Sequence, residues 1–165
     1  MNKKIDDTIP DHLYRKGVGI VLINKDRKIF VGKRIDSKFN AWQMPQGGID
    51  VGENEDIALF REVKEETGIN KSNIHILAKS NQYYYYNLPY KLQKKFWGGK
   101  YLGQKQRWYA ANFIGRDSDI NISTQDPEFC QWQWINHDKT NEFTVEFKRE
   151  MYQNIFDEFA QYLKK

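Results

Sequence analysis

The chain has 165 residues, of which 39% are hydrophobic and 15% aromatic, so it can bury one ordinary core, and we expect a single domain over residues 1–165. Its 26 Lys and Arg residues exceed its 22 Asp and Glu residues, and the net charge of +4 mildly favours a polyanionic partner. No segment has the roughly 18 consecutive apolar residues of a membrane helix, so the composition excludes a membrane-spanning protein and predicts a soluble one with no membrane partner.

The N-terminal segment and the single cysteine indicate the compartment. Residues 1–11 are polar and lack the apolar region of a secretory signal. Cys130 cannot form an internal disulfide, which is typical of a reducing environment. We therefore expect a cytoplasmic protein, in which Cys130 is a small buried or half-buried side chain.

The first predicted element is a β-hairpin. Residues 17–24 and 28–34 are apolar and β-branched runs on either side of a polar turn. A polar loop follows at 35–41. Residues 42–48 contain a proline and two glycines, which favour a tight, backbone-exposing loop over a regular element.

The second half of the chain predicts three strands and a terminal helix. Residues 74–86 and 104–114 have the composition of long strands, with a loop between them, and residues 129–135 alternate tryptophan with polar residues as a half-buried strand does. Between 144 and 163, apolar residues recur at four-residue steps, which predicts a helix with a core-packing stripe. The stripe consists of Phe147, Met151, Ile155, Phe159 and Leu163. This order of elements predicts an α/β fold, with helices on the faces of a mixed sheet.

Between these halves lies a predicted helix that is rich in glutamate. It runs from about Asn54 to Thr67 and ends at Gly68, which tolerates the left-handed conformation. Glu62, Glu65 and Glu66 are spaced at i, i+3 and i+4, so they share one edge of the helix. We expect an apolar face to pack on the sheet and to leave the acidic edge facing outward. That apolar face consists of Ile57, Phe60 and Val63.

The acidic edge calls for a compensating charge, because like charges at this spacing destabilise a helix by roughly 0.2–0.5 kcal/mol per pair. Divalent cations such as Mg²⁺ and Mn²⁺ prefer carboxylate oxygens, so a cation site is the natural compensation. Arg61, one turn before Glu65, can also neutralise part of the charge and orient that side chain. The alternative is a solvated acidic face, which is the more common role of a glutamate-rich helix.

The complete pattern around the helix decides between these interpretations. Gly47 is followed after five residues by Glu53, and after seven more by the stretch REVKEETGI at 61–69. This spacing matches the Nudix box at every specified position. The chain therefore resembles the Nudix hydrolases, which cut nucleoside diphosphate linkages. The resemblance implies an α/β/α sandwich with a mixed β-sheet, in which the box forms a loop, a helix and a second loop.

The resemblance also implies roles for individual residues. The implied cation ligands are Glu62, Glu65 and Glu66. The implied assisting groups are Glu53, the backbone of Gly47 and Gly48, and Arg61, which belongs to the catalytic set. Bound Mg²⁺, or alternatively Mn²⁺, would draw charge from the bridging phosphate oxygens and activate a water for in-line attack on phosphorus, so that no protein nucleophile is required.

Four segments outside the box narrow the resemblance. They are residues 42–48 (WQMPQGG), 103–108 (GQKQRW), 127–134 (PEFCQWQW) and 147–150 (FKRE). In their order and separations they resemble the bacterial RNA pyrophosphohydrolases, also described as dinucleoside polyphosphate hydrolases. Met44 and Gln133 stand where Phe and Arg are usual, and these departures bear on substrate preference more than on chemistry.

This closer resemblance implies further site residues. Glu128 would be an additional cation ligand or a catalytic carboxylate delivered from a loop, and either Glu65 or Glu128 would be the general base. Tyr86 would flank the phosphates. For Phe147, packing in the core is an equal alternative to substrate contact, because it also begins the stripe of the terminal helix. The residues implied to contact the 5′-terminal nucleotides are Arg34, Gln104, Phe147 and Lys148.

A segment from Tyr90 to Trp108 combines cations with aromatic residues and contains no acid. Cations bind phosphates and aromatic rings stack on unpaired bases, which suits single-stranded nucleic acid. The alternative is a solvated charge run with aromatic residues in the core. The cations are Lys91, Lys94, Lys95, Lys100, Lys105 and Arg107, and the aromatic residues are Tyr90, Phe96, Trp97, Tyr101 and Trp108.

The leading functional hypothesis is the removal of pyrophosphate from 5′-triphosphorylated RNA, which leaves a 5′-monophosphate and promotes mRNA decay. Hydrolysis of dinucleoside polyphosphates, such as diadenosine tetraphosphate, is the close alternative because they contain the same linkages. Hydrolysis of oxidised nucleotides or ADP-ribose shares the box but not the flanking segments. A noncatalytic RNA-binding module is the alternative of another class, although binding alone would not require all three box glutamates.

Overall fold

The computed structural model describes residues 10–36 and 41–165. Its strands are β1 (Tyr14–Ile23), β2 (Ile29–Arg34), β3 (Trp42–Gln43), β4 (Gln46–Gly48), β5 (Ile74–Lys79), β6 (Tyr84–Asn87), β7 (Gly103–Phe113) and β8 (Phe129–Ile135). Its α-helices are α1 (Glu55–Thr67), α2 (Tyr90–Gln93), α3 (Glu146–Glu158) and α4 (Ala160–Leu163). Within the described residues, no helix has the length and apolar character needed to cross a membrane.

The strands form one mixed sheet. Its main order is β3-β2-β1-β7-β5, and β4, β6 and β8 pair with β1, β7 and β2. Among the strand pairs of the described residues, β1 and β7 run parallel and the others are antiparallel. Helix α1 covers one face of the sheet and α3 the other, so alternate residues of β1 enter two separate cores. The predicted α/β/α sandwich with a mixed sheet is confirmed.

Several predicted elements occur close to their predicted positions. The hairpin consists of β1 and β2, and the Asn24 side chain accepts backbone hydrogen bonds from Asp26 and Lys28 in the turn. The strand at 129–135 is β8. The terminal helix is divided into α3 and α4 at Phe159, and its stripe is buried in the core from Met151 onward.

Three predictions of local structure were wrong. The segment 42–48 is not only a loop, because its extended backbone pairs with neighbouring strands as β3 and β4. The predicted strand at 74–86 is two strands, since Ser80 closes a turn through a hydrogen bond from its hydroxyl to the Gln82 carbonyl at 2.7 Å. Cys130 is exposed rather than buried. Phe129 takes the inward position of β8, and the next side chain of a strand points to the opposite face.

Candidate active site

Helix α1 has the predicted bounds but a different buried face. The Asn54 side chain caps it by accepting a hydrogen bond from the Ile57 backbone at 2.9 Å, and Gly68 ends it with φ 73°. Ile57 is 59% exposed, so the prediction that it packs on the sheet was wrong. The helix is rotated so that Ala58 and Leu59 join Val63 against the sheet.

The same rotation buries part of the acidic edge, which was predicted to face outward. Glu66 is only 1% exposed, while Glu65 remains in solvent. Strand β4 lies over the edge, and the Gln46 backbone donates a hydrogen bond to Glu66 Oε2 at 3.2 Å. The Glu62 carboxylate rests directly on Gly47, where a Cβ atom would overlap it. The glycine of the box is therefore required by close approach of a carboxylate to the backbone.

Burial and mutual repulsion disfavour the charged forms of the buried carboxylates. Burial raises the pKa of Glu66, and the charges of Glu128 and Glu62 raise it further. Burial also raises the pKa of Glu62 to about 7, although Arg61 opposes this shift. Within the described residues, Glu66 Oε1 is buried and has no hydrogen-bond partner. A buried carboxylate oxygen in that state is expected to have a ligand.

Arg61 organises the box from the side. Its guanidinium donates two hydrogen bonds to Glu53 at 2.7 and 2.8 Å and one to the Gly48 carbonyl at 2.8 Å. It also contacts Glu62 at 2.8 Å and Glu65 at 3.3 Å. Both carboxylate oxygens of Glu53 thus accept hydrogen bonds from Arg61, and this pair holds the box in position. Arg61 is thus within ion-pair distance of both Glu62 and Glu65.

Glu128 belongs to the segment just before β8, which is far from the box in the chain. Its backbone carbonyl accepts a hydrogen bond from Ile35 at 2.9 Å, and the following residue, Phe129, is buried and pairs with Arg34. These contacts fix the exposed Glu128 side chain close enough to Glu66 and Glu62 to raise their pKa values.

The residues present fit a divalent cation. Carboxylate oxygens are its preferred ligands, and the partnerless Glu66 Oε1 faces the charges of Glu62 and Glu128. Across residues 10–36 and 41–165, no three acidic, histidine or cysteine side chains already converge in ligand geometry. The ion pairs of Arg61 contribute to this lack of convergence, because they hold the carboxylates of Glu62 and Glu65 at the guanidinium.

A row of amides lies beside the box, and we call the region bordered by the box, these amides, Tyr86 and the start of α3 the cleft. Gln106 donates hydrogen bonds to the side-chain oxygens of Gln104 at 2.7 Å and Gln46 at 3.2 Å. All three side chains are buried, and Gln104 is linked through Gln106 to Gln46 of the box loop. Gln46 and Gln106 were not predicted, although alternate residues of a strand share a face and Gln104 therefore indicates Gln106.

Helix α3 closes the cleft from the other side. Lys148 is 5% exposed, donates a hydrogen bond to Gln43 at 3.1 Å and lies 5.1 Å from the Tyr86 ring centre. Burial and, to a smaller extent, the charge of Arg34 together lower the pKa of Lys148 to about 7. Phe147 packs against Tyr86 with ring centres 5.8 Å apart, so it contacts both the core and the cleft wall.

Arg34 forms an ion pair with Asp36, which the sequence did not indicate. Its guanidinium forms a paired contact with Asp36, at 2.7 and 2.8 Å. This hydrogen bonding raises the pKa of Arg34 and lowers that of Asp36. A substrate phosphate at Arg34 would compete with Asp36 for the same fork of N–H groups.

Comparisons with known proteins identify the family. The profile of the NUDIX domain matches residues 13–155. The chain is 48% identical over 151 residues to an RNA pyrophosphohydrolase of Rickettsia typhi, covering 92% of each chain. It is 47% identical over 147 residues to an RNA pyrophosphohydrolase of Sphingopyxis alaskensis, covering 89% of this chain and 93% of that one.

Solved structures share the fold at low sequence identity. A C. elegans Ap4A hydrolase has a TM-score of 0.62 at 20% identity and covers 88% of this chain and 98% of its own. An E. coli dihydroneopterin triphosphate pyrophosphohydrolase has a TM-score of 0.69 at 18% identity and covers 87% and 97%. The matched domain and the sequence relatives together show that the chain belongs to the Nudix hydrolases, a family of enzymes that generally use divalent metal ions.

Proposed function

We propose that this enzyme removes pyrophosphate from the 5′ end of triphosphorylated RNA in the cytoplasm, leaving a 5′-monophosphate and promoting mRNA decay. The observation that supports it most is the buried, partnerless Oε1 of Glu66, whose pKa is raised by burial and by the charges of Glu128 and Glu62. Relatives at 47–48% identity that are named RNA pyrophosphohydrolases support RNA as the substrate.

The proposed cation is Mg²⁺, with Mn²⁺ as the alternative, held by Glu62, Glu65, Glu66 and Glu128. When bound, it supplies positive charge to the phosphate oxygens and acidifies the attacking water. Glu65 or Glu128 accepts the proton of that water as its oxygen approaches phosphorus. Arg61 and Glu53 hold the box in position, and the absence of a side chain leaves room for the Glu62 carboxylate at Gly47 and for the Arg15 guanidinium at Gly48.

The remaining cleft residues bind the RNA end. Arg34 and Lys148 contribute positive charge, Gln104 offers an amide, and Tyr86 and Phe147 provide an aromatic wall. Cations grip phosphates and aromatic faces stack on unpaired bases, so this combination suits a single-stranded 5′ end. Dinucleoside polyphosphates contain the same linkages and are the second candidate substrate.

The substrate order is tested by supplying purified protein with Mg²⁺ and either 5′-triphosphorylated RNA or diadenosine tetraphosphate. We expect pyrophosphate and 5′-monophosphorylated RNA, with a higher kcat/KM for RNA. The Glu65→Gln variant should reduce turnover at least about a hundredfold while RNA binding persists, since charge is removed at the reacting centre only.

Glu142→Gln is the matched control, because it neutralises an exposed glutamate outside the cleft and should retain wild-type turnover. A clear preference for diadenosine tetraphosphate would overturn RNA as the first substrate. Full activity of Glu65→Gln would contradict the cation-binding role of that residue.

A further inference from the structure

The segment between β6 and β7, residues 88–102, presents positive charge that the proposed catalytic site does not use. Four of its lysines are exposed, and none of them forms a salt bridge with another described residue. These lysines are Lys91, Lys94, Lys95 and Lys100. Exposed lysines in one short segment create a local positive potential, which attracts a polyanion. We call this segment the basic loop.

The basic loop is held at the mouth of the cleft. Its ends are joined by a hydrogen bond from the Leu88 backbone to the Leu102 carbonyl at 2.8 Å. It leaves the sheet after Asn87 and returns at Gly103, and the adjacent residues Tyr86 and Gln104 pair with each other across β6 and β7. The loop therefore begins and ends one residue away from two residues that border the cleft.

Its tip is also fixed to the structure. Phe96 and Trp97 pack against the core that α3 covers. The Arg15 guanidinium lies 5.3 Å from the centre of the Trp97 ring and directly against Gly48 of the box. Across the cleft mouth, the hydrogen bond from Arg34 lowers the pKa of Asp36, and the charge of Lys95 lowers it further. Lys95 is thus near the side of the cleft that carries Arg34.

Aromatic rings stand beside the lysines. Tyr90 is 70% exposed, and the Lys94 ammonium lies 5.0 Å from the centre of its ring. The Lys100 ammonium lies 5.2 Å from the centre of the Tyr101 ring. An exposed ring next to a cation can stack on an unpaired base while the cation contacts the adjoining phosphate. This pairing of charge with rings favours single-stranded RNA over an acidic protein surface.

We propose that the basic loop is a second RNA-binding site, which holds the chain downstream of the nucleotides that occupy the cleft. The inference rests on RNA being the substrate. A dinucleoside polyphosphate ends within the cleft and has no phosphodiester backbone to reach the loop. The loop therefore raises kcat/KM for long single-stranded RNA and leaves short substrates unaffected.

The test compares a variant with Lys91→Gln, Lys94→Gln and Lys95→Gln against the wild type. Its matched control neutralises Lys25, Lys139 and Lys164, which are exposed at the other end of β1 and β2. Turnover is measured on a triphosphorylated dinucleotide, a triphosphorylated RNA of about 12 nucleotides, and diadenosine tetraphosphate.

The loop variant should lose about tenfold in kcat/KM on the long RNA and less than about twofold on the two short substrates, with a salt dependence weaker by about two in log–log slope. The control should match the wild type on all three. An equal loss on short substrates, no loss on the long RNA, or the same loss in the control would overturn the proposal.

Binding of a 5′-monophosphorylated RNA of about 12 nucleotides, followed by fluorescence anisotropy, separates this proposal from the proposed function. If the enzyme failed to cleave triphosphorylated RNA, the function would be wrong, yet a weaker affinity of the loop variant for this RNA would still support the second site. Equal affinity of the wild type and the loop variant would overturn it. A Lys→Arg version of the loop variant should restore binding, because it restores the charge.

Discussion

At the residue scale, two buried ionisable groups distinguish the cleft from an ordinary surface. Glu66 has a buried oxygen without a hydrogen-bond partner among the described residues. Lys148 has one hydrogen bond, to Gln43, and burial lowers its pKa to about 7. Each group destabilises the protein in its charged form, since neither is fully paired. An oppositely charged ligand at each position relieves that cost, so the same groups that strain the free protein favour binding.

The Lys148→Met variant tests how much the buried lysine charge destabilises the protein. Because the pKa of Lys148 is lower in the folded than in the unfolded state, the folded protein must carry a buried charge below pH 7, and this penalty fades as pH rises from 7 toward the usual lysine value of 10.5. We expect the variant to raise the free energy of unfolding by about 2 kcal/mol at pH 6, and by less at pH 9, measured by urea denaturation. Activity should fall in the same variant.

Lys164→Met is the control, because Lys164 is exposed, and it should change stability by less than about 0.5 kcal/mol at either pH. A stability difference between Lys148→Met and the wild type that stays constant from pH 6 to pH 9 would contradict the lowered pKa.

At the element scale, α1 determines which carboxylates enter the site. Apolar residues alone indicated a face of Ile57, Phe60 and Val63, but the helix seats Ala58 and Leu59 instead. In this orientation of the helix, Glu66 points inward and Glu65 points into solvent. The orientation of the helix, more than its charge, therefore decides which glutamate is buried.

Two alanine substitutions distinguish these orientations. Leu59→Ala should lower the free energy of unfolding by about 2–4 kcal/mol, because it opens a cavity under the helix. Ile57→Ala should change it by less than about 0.5 kcal/mol, because that side chain is in solvent. Urea denaturation of both variants measures the difference. If both variants lost similar amounts of unfolding free energy, the result would support the orientation that the apolar pattern suggested and contradict the one seen in the structure.

At the scale of the whole molecule, the site joins elements that are far apart in the chain. Helix α1 supplies Glu62 and Glu66, β4 supplies the backbone beneath them, and the segment before β8 supplies Glu128. Cross-linking of these elements by one cation would stabilise the folded state over the unfolded state, which has no such arrangement.

Addition of Mg²⁺ should therefore raise the melting temperature. A concentration of about 100 times Kd stabilises a fold by about 2.7 kcal/mol, which corresponds to roughly 5–10 °C for a chain of this size. Glu66→Gln should melt at a higher temperature than the wild type without cation, and should gain little from Mg²⁺. Differential scanning calorimetry measures both effects, with Glu142→Gln as the variant that should respond like the wild type. An equal Mg²⁺ response in Glu66→Gln would exclude Glu66 as a ligand.

The sequence by itself determined the family, the sandwich architecture and the position of the glutamate helix, because these depend on local periodicity, capping residues and a box of contiguous spacing. The tertiary structure decided which groups are buried and what they contact. The loss of solvent around Glu66, the pairing of Arg34 with Asp36 and the amide row of Gln46 and Gln106 arise from segments far apart in the chain. Desolvation and charge interaction depend on these distant neighbours, which no local pattern specifies.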